Sequence, residues 1–255
     1  MERLSKLLDR DVPVVAAWSS WHDTMYLDGL AKTDFDAVTL DMQHGMQTED
    51  SVIRGIMAIA PTGKPVIVRL PVGRFNFASK ALDAGAHAII APMINSVEDA
   101  RQLVAFTKYP PTGERSFGPT QAVNVLGAGT AADYVTVADR ETKVFAMIET
   151  QAALDVMDEI LALDGIDGIF CGPSDLSISL LGNVVPKPFG EETVGTIERM
   201  ARAARDAGKL AAVFCATPAM ANTAHGFGYD FIALGFDAGY IRDGANNMIG
   251  QLSFR

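Results

Sequence analysis

The sequence has very little cysteine. Only Cys171 and Cys215 occur among its 255 residues, so no disulfide framework is available to staple a small secreted fold. We therefore expect a reducing compartment, the cytoplasm by default. We also expect both thiols to pack as small apolar side chains, because neither has an evident histidine partner.

Long apolar runs and an excess of positive charge are also missing. The longest apolar stretches have the length of a β-strand and are far too short to span a membrane. The opening "MERLSKLLDRDVPVV" lacks the unbroken apolar segment of a signal peptide. The formal net charge of -10 disfavours nucleic acids and anionic membranes as partners, although it is compatible with a local basic pocket.

The chain does have enough apolar residues for a large core. Hydrophobic residues make up 49% of the sequence and charged residues 20%, a composition that argues against disorder. No segment has the character of an interdomain linker, and α/β barrels commonly fill this length as one unit. We therefore expect a single domain over residues 1–255.

Eight short apolar runs recur along the chain, each bounded by Gly, Pro, Asp or Asn. The lead-ins "FDAV", "IDGI" and "YDFI" are alike and "AHAI" is a looser copy, which indicates one supersecondary unit used repeatedly. We expect strands within residues 12–20, 35–44, 65–71, 87–94, 143–150, 166–175, 210–217 and 230–239.

Helix-like segments separate these runs, among them 51–60, 77–85 and 192–208. Two of them end at Gly85 and Gly208, where glycine can adopt the left-handed conformation that stops a helix. Apolar strands that alternate with helices indicate a parallel sheet covered by helices. Eight such units at this length predict an α/β fold of the (β/α)8 TIM barrel type. An open doubly wound sheet is the alternative, but no G-x-G-x-x-G follows the first strand.

The residues that end the eight runs are the candidates for function, because active sites of (β/α)8 barrels lie at the carboxyl ends of the strands. Lys64, Lys143 and Lys209 stand instead at the starts of strands. A Schiff-base lysine has to reach the pocket, so we expect a mechanism without one. The strand-end candidates are Trp18, Asp41, Gln43, His44, Arg69, Glu149, Gly172, Ser174, Asp175 and Asp237.

Two carboxylates, Glu149 and Asp175, end the neighbouring fifth and sixth strands. Without a His or Cys cluster beside them, they suit a hard divalent ion such as Mg²⁺ or Mn²⁺, with Co²⁺ as a further option and water or substrate oxygens in the other positions. The alternative for Asp175 is a cap on the next helix. The segment "GPSDLS" (172–177) also leaves backbone N–H groups free at a helix start, a seat for a substrate carboxylate.

Arg69 is the one basic residue at the end of a core-facing run, and burying it without an anion would be costly. It either faces an anionic substrate or forms a structural ion pair with an inward carboxylate. His44 is either a satisfied core histidine or a group that transfers protons. Because Asp41, Arg69, Glu149 and Asp175 are expected at the same mouth, the second interpretation is favoured.

These residues, in this order, resemble the metal-dependent (class II) pyruvate aldolases of the 4-hydroxy-2-oxoheptanedioate aldolase family, within the citrate lyase and phosphoenolpyruvate superfamily. The resemblance extends from about Trp18 to Asp237 and so covers nearly the whole chain. Its complete set of motifs is highly specific. The motifs are "LDMQHG", "VRLP", "LDAGAHAIIAPMINS", "YPPTGERSFG", "MIET" and "DGIFCGPSDLS".

The resemblance implies reversible aldol cleavage of 4-hydroxy-2-ketoacids through a metal-stabilised enolate. The donor would be pyruvate or hydroxypyruvate and the acceptor an aldehyde. It makes Glu149 and Asp175 the metal ligands. Members of this family form hexamers with exchanged C-terminal segments, so the resemblance also implies a homo-oligomer.

Carried over by position, the family pattern makes His44 the catalytic imidazole, oriented by Asp83 on the helix after the third strand. It places Arg69 against the keto or enolate oxygen of the donor. The other expected substrate contacts are Trp18, Gly172 and Ser174.

Two positions depart from the family pattern. Many relatives have "DGEH" where this chain has "DMQH", and some have Gln at the place of Met147. Gln43 is neutral where Glu is usual, so the pocket carries less negative charge. Both departures resemble the branch described as hydroxy-ketoacid aldolases, which accept hydroxypyruvate as well as pyruvate.

Three other functions compete with this interpretation. A lyase acting on acyl-CoA thioesters would use the same metal pair, and the Gly- and Pro-rich loop 109–130 could form its acceptor-side wall as well as that of an aldolase. A phosphosugar isomerase could use "LGFDAG" at strand eight as a phosphate loop, but it leaves Glu149 and Asp175 without a role. A non-catalytic metabolite-binding barrel gains nothing from a metal site, a base and an arginine at one point.

Overall fold

The computed structural model describes residues 3–182 and 185–254. Eight parallel strands pair in chain order, and the first pairs with the last, so the sheet closes into a barrel. Each strand lies within one of the eight segments predicted from the sequence. The strands are β1 Val14–Ser19, β2 Ala37–Asp41, β3 Val66–Arg69, β4 Ala88–Ala91, β5 Lys143–Ile148, β6 Gly168–Cys171, β7 Leu210–Cys215 and β8 Phe231–Leu234.

Helices follow the strands and surround the barrel. The predicted helix ends are present, since Gly85 (φ 108°) and Gly208 (φ 68°) both adopt left-handed backbone conformations. The helices are α1 Leu4–Leu8, α2 Thr24–Ala31, α3 Glu49–Ile59, α4 Asn76–Ala84, α5 Val97–Thr107, α6 Ala122–Val125, α7 Ala131–Glu141, α8 Gln151–Asp155, α9 Met157–Leu161, α10 Pro173–Leu181, α11 Glu191–Asp206, α12 Pro218–Phe227 and α13 Asp237–Gly250.

Alternation along the strands divides the core into two layers. Outward side chains such as Val38, Leu40 and Val68 pack against the helices. Inward side chains such as Ile67 and Phe145 fill the barrel, because successive residues of a strand point to opposite faces. The short helix α1 places Leu4 and Leu7 in this inner cluster, a contact that the sequence alone did not predict.

The 109–130 segment lies outside the barrel and carries the short helix α6. Its Val125 packs against Gly85 at the end of α4, where an added Cβ would approach the valine within 2.7 Å. Tyr109 and Leu126 form a small apolar cluster with Tyr134 of α7. The segment is therefore anchored on the flank of the barrel rather than across its mouth.

Among the described residues, no helix combines the length and the apolarity that crossing a bilayer requires.

Candidate active site

A cavity of about 300 Å³ opens at the carboxyl ends of the strands. Most strand-end residues singled out in the sequence line it, which follows from barrel closure because parallel strands all end at one face. The lining residues are Trp18, Ser20, Asp41, His44, Arg69, Met147, Glu149, Phe170, Gly172, Pro173, Ser174, Asp175, Phe214 and Phe236.

Glu149 is buried at this mouth with half of its carboxylate unpaired. Oε1 accepts the backbone N–H of Met93 at 2.8 Å, whereas buried Oε2 has no hydrogen-bond partner among the described residues. Burial raises the pKa of the Glu149 carboxyl to about 7, and the nearby Asp175 carboxylate adds to the rise. An orphaned buried oxygen of this kind indicates a missing ion or water, and a cation would relieve both causes of the raised pKa.

Asp175 lies in the first turn of α10 and is exposed to the cavity. The N-cap residue of this helix is Gly172, which forms no side-chain capping hydrogen bond. Asp175 lies further inside the helix and is therefore not its N-cap. Among the described residues, no cluster of three or more His, Cys, Asp or Glu side chains could hold a metal. Glu149 and Asp175 thus offer two carboxylates, which fits an ion that keeps water or substrate oxygens in its other positions.

Gly172 and Met93 bring the backbone close to Glu149. A Cβ at Gly172 would lie 2.2 Å from Glu149 Oε2, so the tight approach requires glycine. Met93 adopts a left-handed conformation (φ 55°) that a side chain of its kind rarely takes. Such strain is found where surrounding structure enforces it, and here it aims the Met93 N–H at a candidate metal ligand. No sequence signal marks this methionine.

Arg69 forms a two-pronged ion pair with Asp41. Arg69 Nε donates to Asp41 Oδ1 at 2.8 Å and Nη2 donates to Oδ2 at 2.7 Å. The guanidinium lies 4.7 Å from the Trp18 ring centroid, and the Trp18 indole N–H donates to Asp41 Oδ2 at 3.3 Å. Arg69 therefore has the inward carboxylate partner considered as an alternative above, and it also lines the cavity.

His44 lies exposed on the loop after β2, at the rim of the cavity. Asp41 Oδ1 accepts the backbone N–H of Gln43 at 2.9 Å and that of His44 at 3.4 Å. Gly45 is required next, because a Cβ there would lie 2.2 Å from the Asp41 carbonyl oxygen. The histidine is therefore held over the mouth by its backbone rather than packed in the core.

Asp83, the expected partner of His44, lies elsewhere within the chain. It is on the last turns of α4 and accepts a hydrogen bond from Arg115 Nη2 at 2.6 Å. The Arg115 guanidinium is buried against the Tyr109 ring, 4.5 Å from its centroid. Burial raises the pKa of the Asp83 carboxyl, and Arg115 opposes the rise. One chain alone does not bring Asp83 to the cavity that His44 lines.

The remaining wall of the cavity is aromatic. Trp18 packs against Phe214 with ring centroids 5.3 Å apart and against Phe170 at 6.0 Å. Phe236 lies at the mouth and is 40% exposed. The cavity thus has a polar side with the carboxylates and an apolar side that excludes water, an arrangement common in small-molecule sites.

Strand eight does not end in a phosphate site. The Asp237 side chain is buried in the first turn of α13 and accepts the Ser20 backbone N–H at 2.6 Å. A carboxylate already occupies the positive end of this helix, where a phosphate would have to bind. The isomerase alternative therefore loses its phosphate loop.

A larger cavity of about 700 Å³ lies at the opposite end of the barrel, around the starts of β5, β6 and β7. Its buried Lys108 donates to Asp167 Oδ2 at 2.8 Å and to two backbone carbonyls. Lys209 likewise donates to the carbonyls of Leu163 and Ile166. These lysines hold loops together, and size alone does not make this end a site of chemistry.

The fold and the cavity together define a barrel enzyme with a candidate divalent-metal centre at its strand ends. The family model described as HpcH/HpaI aldolase/citrate lyase matches residues 15–243, so the chain belongs to this family. The family is divalent-metal dependent.

Individual relatives agree with this assignment. A hydroxypyruvate/pyruvate aldolase from Rhizorhabdus wittichii is 36% identical over 239 residues, which cover 94% of this chain and 94% of the relative. The 2-keto-3-deoxy-L-rhamnonate aldolase of Escherichia coli K12 is 34% identical over 225 residues, 88% of this chain and 82% of the relative. The solved HpcH/HpaI aldolase from Desulfitobacterium hafniense DCB-2 superposes with a TM-score of 0.86, at 25% identity and 100% coverage of both chains.

These findings confirm three predictions made from the sequence. The (β/α)8 barrel is present, the family is the one that the motifs resemble, and the protein is an aldolase-type lyase by family and relatives.

Proposed function

We propose that this protein is a divalent-metal-dependent aldolase that cleaves and forms 4-hydroxy-2-ketoacids, with pyruvate or hydroxypyruvate as the donor and an aldehyde as the acceptor. The observation that carries the proposal is the unpaired Oε2 of Glu149, buried in a cavity that Asp175 and Arg69 also line. The relative named hydroxypyruvate/pyruvate aldolase supports this choice of donors.

Glu149 and Asp175 would hold the metal, which we propose to be Mg²⁺ or Mn²⁺, with Co²⁺ as an alternative. Carboxylate oxygens are the ligands that such hard ions prefer. A bound divalent ion supplies Lewis-acid stabilisation of negative charge that develops on the keto oxygen of the substrate.

The protein's own groups provide the rest of the chemistry. Arg69 is a fixed positive group beside the cavity, and a preorganised contact to a developing oxyanion is typically worth about 3 kcal/mol. Its Nε and Nη2 are engaged by Asp41, so Nη1 is the nitrogen that can face the donor oxygen. His44 at the rim would move the proton of the 4-hydroxyl group or of the α-carbon.

The helix α10 and the aromatic wall would orient the two substrates. The backbone of Gly172 and Ser174 begins α10 at the cavity, and free N–H groups of a helix start bind carboxylates. Trp18, Phe170 and Phe214 offer apolar contact to the carbon chain. No observation on the described residues favours a coenzyme A thioester, whose long arm would have to leave this cavity of about 300 Å³.

We also propose a homo-oligomer, a hexamer as the family resemblance implies. Two observations support it. Residues 241–250 of α13 are all exposed in the single chain. The C-terminal part of the chain carries several large apolar side chains, which a neighbouring subunit would shield from solvent. In addition, Asp83 and His44 do not meet within one chain. The exposed apolar residues are Ile241, Met248, Ile249, Leu252 and Phe254.

The proposed function is tested by a screen of aldehydes with pyruvate and with hydroxypyruvate, each with and without a chelator. We expect aldol products that disappear on chelation and return with added Mg²⁺ or Mn²⁺. Turnover that is indifferent to chelation would refute the metal, and tight ketoacid binding without any turnover would favour a binding protein.

A double variant tests the metal site itself. Glu149→Ala with Asp175→Ala removes both carboxylates, so we expect loss of bound Mn²⁺ in equilibrium dialysis together with loss of aldol cleavage. Glu159→Ala with Asp158→Ala, a pair of carboxylates on α9 that does not line the cavity, is the matched control. Metal and activity retained in the first variant would show that the ion binds elsewhere.

A further inference from the structure

We infer that Asp41 is a positioning residue that fixes the plane of the Arg69 guanidinium and ties it to the loop that carries His44. This inference rests on the proposed function, because it assigns Asp41 a part in the same reaction. Asp41 is 1% exposed, and its two oxygens accept hydrogen bonds from the side chains of Trp18 at the end of β1 and Arg69 at the end of β3 and from the backbone of the loop after β2.

The two oxygens of Asp41 have different partners. Oδ2 accepts Arg69 Nη2 at 2.7 Å and the Trp18 indole N–H at 3.3 Å. Oδ1 accepts Arg69 Nε at 2.8 Å and the backbone N–H groups of Gln43 and His44 at 2.9 and 3.4 Å. One oxygen therefore serves the side chains beneath the cavity, and the other also holds the loop at its rim.

This arrangement leaves Arg69 with one orientation. A carboxylate that accepts two parallel N–H bonds holds the planar guanidinium edge-on, and Trp18 lies 4.7 Å from it on one side. The remaining nitrogen, Nη1, makes no hydrogen bond with the described residues. Its direction is set by the hydrogen bonds that Nε and Nη2 donate to Asp41. A contact of this kind assists a reaction only when it is fixed in advance at the place where charge develops.

Asp41→Asn separates the two halves of this arrangement. The amide oxygen can remain at the Oδ1 position and keep accepting the loop N–H groups. The amide NH₂ then faces the N–H groups of Arg69 and Trp18, where three donors meet without an acceptor. The substitution should therefore release Arg69 while leaving the His44 loop and the candidate metal ligands in place.

The test compares wild type and Asp41→Asn in aldol cleavage, in exchange of pyruvate methyl protons with deuterated water, and in inhibition by oxalate, a planar dianion shaped like the pyruvate enolate. We expect kcat for both reactions to fall about 10- to 100-fold and oxalate inhibition to weaken about 10-fold. The KM for pyruvate and the Kd for Mn²⁺ should stay within about 3-fold. If Asp41 contributed only to stability, Asp41→Asn would lower the unfolding midpoint but would not lower kcat and weaken oxalate inhibition while KM and the Kd for Mn²⁺ stay constant.

A mutant cycle with Arg69→Lys shows whether Asp41 acts through the arginine. If it does, Asp41→Asn combined with Arg69→Lys should lose little more than Arg69→Lys alone. Multiplicative losses would overturn the inference. Asp36→Asn is the matched control, since Asp36 also pairs with an arginine, Arg10 at 2.9 Å, and accepts a backbone N–H, that of Val15 at 2.9 Å, but does not line the cavity; its kcat should stay within about 3-fold of wild type.

Asp41→Glu decides the question if Asp41→Asn does not fold. It keeps the negative charge but displaces the carboxylate by one methylene, so we expect the same split between kcat and KM. Wild-type kcat and oxalate inhibition in the folded Asp41 variants would overturn the inference while the proposed function stands. A wild-type protein with neither cleavage nor exchange would overturn both.

Discussion

His44 is placed at the rim of the cavity by its backbone, and this position bears on its role. If it moves protons in the reaction, His44→Ala should slow aldol cleavage by roughly 100-fold or more while metal content is unchanged. Deuterium exchange into the pyruvate methyl group measures enolisation without an aldehyde. Loss of cleavage with normal exchange would confine His44 to the aldehyde-side hydroxyl, and survival of both rates would make it a non-catalytic residue. His22→Ala, at an exposed position, is the control.

His87 governs a different property, the pH dependence of stability. It is 1% exposed just before β4, and its Nδ1 accepts the Val66 N–H at 3.2 Å. Nε2 has no partner among the described residues. Burial lowers the pKa of His87 from 6.5 to about 4, so the unfolded chain binds a proton that the folded chain refuses between these two values.

The contribution of His87 to the free energy of unfolding should therefore be largest above pH 6.5 and fall as the pH drops towards 4. The full difference corresponds to about 3 kcal/mol, at about 1.4 kcal/mol per pH unit. His87→Gln removes the titrating group. The difference in free energy of unfolding between wild type and this variant should therefore shrink by about 3 kcal/mol between pH 7 and pH 4 in urea unfolding experiments. A constant difference between the two proteins would show that His87 does not titrate in this window. The exposed His22→Gln is the matched control.

At the scale of elements, the junction of β6 and α10 controls how closely the backbone approaches Glu149. Gly172→Ala would place a Cβ 2.2 Å from Glu149 Oε2 and 3.0 Å from Met147 Cε, so the carboxylate has to move. We expect Mn²⁺ affinity to fall about 10-fold or more, measured by titration calorimetry, with the fold intact by circular dichroism. Gly195→Ala on α11, where nothing lies within 4 Å of the added Cβ, should bind Mn²⁺ as wild type does. Equal affinities would mean that Glu149 is not held by this junction.

At the scale of the whole molecule, the separation of Asp83 from His44 predicts where their contact forms. Asp83 lies on the flank of the barrel beside Arg115, so a pair with His44 requires two subunits. Co-expressed His44→Ala and Asp83→Asn chains should then assemble about one quarter of their sites with both residues intact, because each site draws on two chains. We expect cleavage activity several-fold above the average of the two variants purified separately. Activity equal to that average would exclude a site shared between subunits.

The sequence by itself determined the barrel and the position of the cavity. Apolar runs with polar ends, such as the one that finishes at Asp41, and helix stops such as Gly85 are local signals, and each is set by residues close together in the chain. The rule that sites lie at the carboxyl ends of barrel strands then predicted that Arg69, Glu149 and Asp175 lie at one mouth.

Only the tertiary structure decided which of these groups pair. Arg69 meets Asp41 across two neighbouring strands, and the strained N–H of Met93 meets Glu149 across another pair. Asp83 turns to Arg115 on the flank instead of His44 at the rim. Hydrogen-bond partners depend on distances of a few tenths of an ångström between residues far apart in sequence. These distances are fixed only when the barrel closes and its loops pack, so composition and spacing do not carry them.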